Sequence, residues 1–349
     1  MELRKNKTAT MLAIFLVLIA SITGFAQGRD LRLQHGNGYV NSLWFTPDGS
    51  QLFSSSLDGT IAIWDIRSGK RIRFLDLDEK QDRDMYTISH IYQMEVSPRA
   101  DVLAVSIDQT SVVKGVAQDD RVDRTALLDA ANFQTKALLE HSRSEMAFSP
   151  DGRTLVTIGL EKIARIWRTD DGKEIRQFPI RNIGKPIFTP DGNKLIVAAQ
   201  IGWASTGPMV SVYDLHSGEV VYEIPVRFGQ IVGLAVSPDG ASIAIGGYNG
   251  GDFSLKLWST STRNEQKPRE LLSKNSGMSY NVAYSPDGKL LASSGLLNCC
   301  ETVVIRRVSD NKIVKKFNAT TEIRSIAFSQ DGTRLAYGTS NGEIFVQNL

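Results

Sequence analysis

Apolar and polar residues alternate along this chain in short runs, and turn residues separate the runs at regular intervals. Phe45 to Lys70, FTPDGSQLFSSSLDGTIAIWDIRSGK, shows the unit. Pro47-Asp48-Gly49 suits a turn, because proline presets φ and glycine tolerates positive φ. Asp58-Gly59 is a two-residue hairpin signal, and Ser68-Gly69 is a third break. Between the breaks the alternation has the period of strands, so the stretch predicts strand, turn, strand, turn, strand.

The unit recurs. Copies begin at Phe148 (FSPDG), Phe188 (FTPDG), Val236 (VSPDG), Tyr284 (YSPDG) and Phe328 (FSQDG), with a degenerate copy, VSPRAD, at Val96. Their anchors are Pro47, Pro98, Pro150, Pro190, Pro238, Pro286 and Gln330, spaced from 40 residues (Pro150 to Pro190) to 52 (Pro98 to Pro150). A period of that length with four strands per unit predicts the blades of a β-propeller.

The repeats resemble the WD40 family, over essentially everything after the N-terminal segment. Ile63-Trp64-Asp65 is the full family dipeptide with its leading apolar residue. It decays to Ile166-Trp167-Arg168, Val212-Tyr213-Asp214 and Leu257-Trp258-Ser259, and Arg306 and Gln347 fill the tryptophan place in the last two copies. The resemblance implies an all-β, seven-bladed propeller of four-stranded blades over residues 29–349. It also implies a bracing network in the first blade, built from His35, one of Ser54 to Ser56, Asp58 and Trp64. In the third copy His141 and Trp167 are present, but Glu161 stands where the aspartate belongs. These groups are read as structural, not as a catalytic triad.

A seven-bladed ring needs four strands in every blade, and after Gln330 there is room for three. Asp30 to His35, DLRLQH, alternates Leu31 and Leu33 with polar residues and precedes the first full unit. It is expected to be the fourth strand of the last blade, so that the chain ends pair and the ring has no open edge.

The first residues are a different matter. A basic head (Arg4, Lys5, Lys7), an apolar run from Met11 to Ile22 and Gly24-Phe25-Ala26 form the pattern of a secretory signal peptide over residues 1–26. Export to the periplasm or the extracellular space is expected, as for a bacterial-type secreted propeller; a retained N-terminal anchor is the alternative. Without that segment, the 40 basic and 38 acidic residues lose three and one, so the mature chain is formally neutral. Nothing there favours nucleic acid, which usually selects a basic excess. No later segment has the length and apolarity of a bilayer span, and a monomer is expected.

Enzymatic motifs are not apparent. The chain carries no Walker A loop, HExxH or GxSxG elbow, its four histidines fall in separate blades, and no cofactor is called for. Cys299-Cys300 reads as two thiols in a turn, a strained vicinal disulfide or a bond to another chain. Long segments in blade two (Asp78 to His90, Gln109 to Arg124) and blade four (Gln200 to Met209, with Trp203) are read as loops, where binding tends to reside.

The WD40 resemblance implies one more set of positions. Four places before the residue ahead of each Ser/Thr-Pro, the innermost strand is expected to start at the top of the channel. Those places hold Asn41, Tyr92, Ser144, Gly184, Val232, Tyr280 and Arg324. Tyr and Arg are enriched in binding hot spots. The expected function is therefore non-enzymatic binding of a protein or peptide on the top face, through Asn41, Tyr92, Tyr280 and Arg324, with Trp203 and Tyr248 extending the patch. Two alternatives stand beside it: a propeller enzyme, hydrolase or lactonase-like, with acids or histidines meeting at the axis, and a glycan or cell-wall binder using Trp203, Tyr248 and Asn249.

Overall fold

The computed structural model describes residues 30–78, 80–82, 85–113, 116–117, 122–139, 145–199, 210–226, 230–249, 252–260, 268–272, 281–297 and 300–349. The signal-peptide segment, His141, Ser144, Trp203, Tyr280 and Cys299 lie outside them. Among the described residues no helix is long and apolar enough to cross a membrane.

Strands form seven antiparallel sheets, arranged as a seven-bladed β-propeller. Blade one shows the pattern from the axis outward: Val40–Phe45, Gln51–Ser56, Thr60–Asp65 and Lys70–Asp76. Both faces of each blade are covered by neighbours, which explains why Thr60–Asp65 is buried almost throughout rather than alternately. Leu52 and Trp64 pack toward blade seven, while Phe53 and Ile63 pack toward blade two. Seven apolar clusters result, one at each interface between blades.

The ring closes through the chain ends. Leu31–Gln34 pairs with Glu343–Asn348 in the last sheet, with Leu31 opposite Val346 and Leu33 opposite Ile344. Asp30 accepts hydrogen bonds from the backbone and side chain of Asn348 (3.0 and 2.9 Å), and Arg32 pairs with Glu343. The backbone N–H of His35 donates to Gly342 O (2.9 Å). Gly342 has φ +82°, and a Cβ there would sit 2.1 Å from Gly36 O, so the turn before the last strand has room for glycine only.

The Pro-Asp-Gly turns owe their recurrence to local chemistry. A Ser or Thr hydroxyl donates to the aspartate two residues on: Thr46 to Asp48 (2.5 Å), Ser149 to Asp151 (2.6 Å), Ser285 to Asp287 (2.6 Å). That hydroxyl, followed by a backbone N–H, holds these carboxyls below the usual carboxylate range. In the degenerate copy Ala100 takes the left-handed conformation (φ 55°) that glycine occupies elsewhere, and Ser97 instead bonds Asp101 (2.6 Å).

Blade two departs from expectation. Much of the two segments read as loops is strand: Met85–Val96 and Val102–Val113 form a long hairpin, extended by Val122–Asp129 and the short strands Lys80–Asp82 and Val116–Ala117.

Candidate interaction surface

Antiparallel order puts the Pro-Asp-Gly turns on one face of the ring. The hairpins joining second to third strands, and the connections between blades, are on the other, called the top. At the top of blade one the bracing network is present, with one more member than expected. Trp64 Nε1 donates to Ser54 Oγ (2.8 Å), and Ser54 meets His35 Nδ1 (2.7 Å). His35 Nε2 meets Thr60 Oγ1 (2.8 Å), and Thr60 donates to Asp58 (2.5 Å). Thr60 thus stands between the histidine and the aspartate. Burial pulls the His35 pKa down to about 4, against the opposing pull of Asp58, so the ring is neutral at pH 7 and uses one nitrogen as donor and one as acceptor. Its engagement on both nitrogens inside the blade gives it a bracing role. In blade three Trp167 Nε1 donates to Thr157 Oγ1 (2.8 Å), and Glu161 pairs with Arg165 (3.2 Å).

The positions expected to start the innermost strands are β-bulges instead. Pairing skips one residue between Val40 and Ser42, Ile91 and Gln93, Ile231 and Gly233, and Ile323 and Ser325. The skipped residues are Asn41, Tyr92, Val232 and Arg324. A bulge inserts an unpaired residue and re-aims its side chain. Gly184 in blade four has no bulge and pairs with Ala199.

The bulged side chains have different tasks. Asn41 Nδ2 donates to Ile91 O of the next blade (2.9 Å), a clamp between blades. Tyr92 lines the channel and donates to the buried Asp108 (3.0 Å). Arg324 is exposed on the rim; it pairs with Glu322 (2.9 Å), and its guanidinium lies 4.7 Å from the ring centroid of Tyr39. Tyr39 is 40% exposed, and the sequence reading missed it. Arg324, Tyr39, Asn41 and Tyr92 follow one another across blades seven, one and two. Tyr248 belongs to the strand Ser242–Asn249; Trp203 and Tyr280 lie outside the described residues.

The axial channel, about 900 Å³, holds a second group of residues that the sequence reading passed over. One place after the bulge come Ser42, Gln93, Glu145, Lys185, Asn281 and Ser325. Four of these bond the next blade: Ser42 accepts from Met94 N, Gln93 exchanges two bonds with Met146, Asn281 donates to Ile323 O and Ser325 to Val40 O. Three places after it, blades three, five, six and seven carry Ala147, Ala235, Ala283 and Ala327, while blades one and two carry Trp44 and Glu95. Glu95, Glu145 and Lys185 all line the channel. Burial pushes the Glu95 carboxyl up, although Lys185 and a hydrogen bond from Gln93 (2.8 Å) oppose the shift.

Comparison with known proteins agrees with the geometry. The family model described as WD domain, G-beta repeat, matches residues 28–65, and the anaphase-promoting complex subunit 4 WD40 domain matches residues 282–349. The chain is 28% identical over 131 residues to small ribosomal subunit protein RACK1 of Glycine max, covering 38% of this chain and 39% of that one. It is 28% identical over 166 residues to a WD repeat-containing protein of Synechocystis, covering 46% and 42%. Against the WD repeat-containing protein WDS homolog of Arabidopsis thaliana it is 23% identical over 252 residues, covering 70% and 44%. The matches thus span about two fifths of the length of these relatives. The repeat, its tryptophan place and the closed seven-bladed ring agree with these matches, and together they support a WD40-repeat family for the chain.

Proposed function

We propose that this propeller is a non-enzymatic scaffold that binds a protein or peptide on its top face, around the rim of the channel. The observation that carries the reading is the exposed Arg324–Tyr39 pair, set on a bulge beside Tyr92 and Asn41. A preorganised Arg–Tyr pair supplies area and directed hydrogen bonds at low entropic cost. Relatives named as WD-repeat proteins, and RACK1, named for the small ribosomal subunit, add support by likeness. The enzymatic alternative draws on Glu95 and Glu145 in the channel. Lys185 beside them and the grip of Gln93 on Glu95 favour fixed charges that recognise a ligand.

Arg324→Ala tests the rim. Binding of the native partner, captured on the immobilised chain and then titrated, is expected to weaken about tenfold, roughly 1.4 kcal/mol. The melting temperature should stay put, because an exposed ion pair contributes little stability. Unchanged binding, combined with loss on altering the Ser68-Gly69 turn of the opposite face, overturns the assignment.

Export is part of the same proposal, on the basic head, apolar run and Gly24-Phe25-Ala26. Sequencing the N-terminus of the mature protein should give a start near Gln27. A soluble cytoplasmic pool retaining Met1 speaks against it.

A further inference from the structure

The outer perimeter of the ring carries an uneven charge. Counted over each outer strand and the turn that leads into it, blades six, seven and one (residues 307–319, 30–34 and 65–76) hold nine cations and four carboxylates. The corresponding stretches of blades two, three and four (residues 129–139, 168–179 and 214–224) hold four cations and seven carboxylates. A chain that is formally neutral without residues 1–26 thus has one basic side wall. Arg32 and Arg307 on that wall pair with Glu343 and Asp310. Lys70, Arg71, Arg73, Lys312 and Lys316 are exposed, and none makes an ion pair with a described residue.

The three blades make one continuous surface. Lys315 Nζ donates to Asn348 O of blade seven (2.7 Å), and from the other side Arg71 donates to His35 O (3.4 Å), just past the closing strand. Apolar side chains lie among the cations: Ile72 and Phe74 in blade one, and Ile313 and Val314 in blade six, are 43–52% exposed. The outer strands of blades two, three and four each expose one large apolar residue, Leu138, Ile175 and Val221. The Arg71 guanidinium lies 4.2 Å from the Phe74 ring centroid, so a cation and an exposed ring form one unit. The described chain starts at Asp30, on the strand at the middle of this wall, so residues 1–29, with the apolar run Met11 to Ile22, attach there.

We infer that this wall seats the propeller on an anionic phospholipid surface. Basic side chains gather at anionic headgroups, and exposed apolar side chains between them enter the acyl boundary. Long Lys and Arg stems lie along apolar surface while their charges stay with the phosphates. A nucleic acid would use the cations through its phosphates but leave Ile72, Ile313 and Val314 nothing to bury against. On the export proposal, the attachment point of residues 1–29 also brings this wall to the bilayer while that segment is still in it. Seated on its side, the ring leaves its top face open to a protein partner, so the two surfaces act independently.

The test uses residues 27–349, which contain the whole closed ring, and co-sedimentation with large vesicles. One set is phosphatidylcholine alone; the other carries about one third phosphatidylglycerol. At about 0.1 M salt the anionic vesicles are expected to bind at least about tenfold more tightly. Lys70→Glu combined with Lys316→Glu should remove most of that preference and leave the melting temperature unchanged, as for other exposed substitutions. Lys136→Glu combined with Lys173→Glu makes the same change in net charge on the walls of blades two and three, and should keep the preference. Ile72→Ser combined with Val314→Ser should weaken the binding that persists at about 0.5 M salt, where the charges are screened. Equal binding of the two vesicle types, binding of neither, or an equal loss from the blade two and three variant overturns the assignment. So does tighter binding of polyuridylate than of the anionic vesicles, which would give the wall to a nucleic acid.

Discussion

Removal of Asp30 to His35 is expected to lower the melting temperature of the whole ring, not only to loosen its last blade. Leu33 is 6% exposed and belongs to the cluster that joins blade seven to blade one, with Val40, Leu52, Trp64 and Ile344. Losing its burial costs about 2–3 kcal/mol. The same deletion removes His35, so Ser54 and Thr60 each lose one of two buried hydrogen-bond partners and keep only Trp64 and Asp58, at about 1 kcal/mol each. The total, on the order of 5 kcal/mol, is comparable with the roughly 5–15 kcal/mol that keeps a typical domain folded. It also bares Ile344 and Val346 on an unpaired edge, which invites strand addition between molecules. Urea unfolding of the truncated and full chains measures the cost; an unchanged midpoint would show that the strand contributes nothing to closure.

Trp64→Ala is expected to cost about 3–5 kcal/mol, the range for removing a large buried aromatic. The indole is 4% exposed, lies opposite Leu52 and packs in the interface with blade seven. Its N–H holds Ser54, which in turn orients His35. Trp64→Phe keeps most of the apolar volume and should lose much less, about 1–2 kcal/mol for the unmade hydrogen bond. Denaturant titration of the two variants separates packing from bonding; a cost for Trp64→Ala below about 1 kcal/mol would deny the residue its bracing role. Asp65, the other half of the dipeptide, works elsewhere: it accepts from the backbone and hydroxyl of Ser68 (2.6 Å each) and closes the next turn. Tyr213 in the equivalent place of blade four accepts from Arg181 N (2.8 Å), so the place keeps its bracing role when the indole is lost.

What the sequence made legible was local or countable. The Pro-Asp-Gly turns announce themselves because hydroxyl, carboxylate and glycine lie within four residues of one another. The closing strand follows from counting, since four strands per blade leave one place for Leu31 to Gln34. The bulges at Asn41, Tyr92 and Arg324 leave no local signature; each is a mismatch between two strands, visible only when both are paired. Thr60 was passed over because the step from His35 to Asp58 looks like a direct bond until the buried geometry inserts a hydroxyl. The channel residues Trp44, Glu95, Glu145 and Lys185 come from four blades, and alternation along a strand tells which neighbour a side chain faces, not how near the axis it lies. A register count one and three places past each bulge would have found them.

Arg32 and Glu343, which pair across the closure, are separated by 311 positions. The strand Leu31–Gln34 is therefore made long before its partner, Glu343–Asn348. On a ribosome adding about 5–20 residues per second, it waits roughly tens of seconds before that partner exists. Blades one to six are assembled from neighbouring sequence and can form as they emerge, whereas blade seven needs two distant segments at once. Loop closure over that span is entropically costly before any contact rewards it, so shutting the ring is a late and slow event. Until then the edge strand bearing Ile344 and Val346 is exposed, and the growing protein depends on the speed of its own completion to stay single.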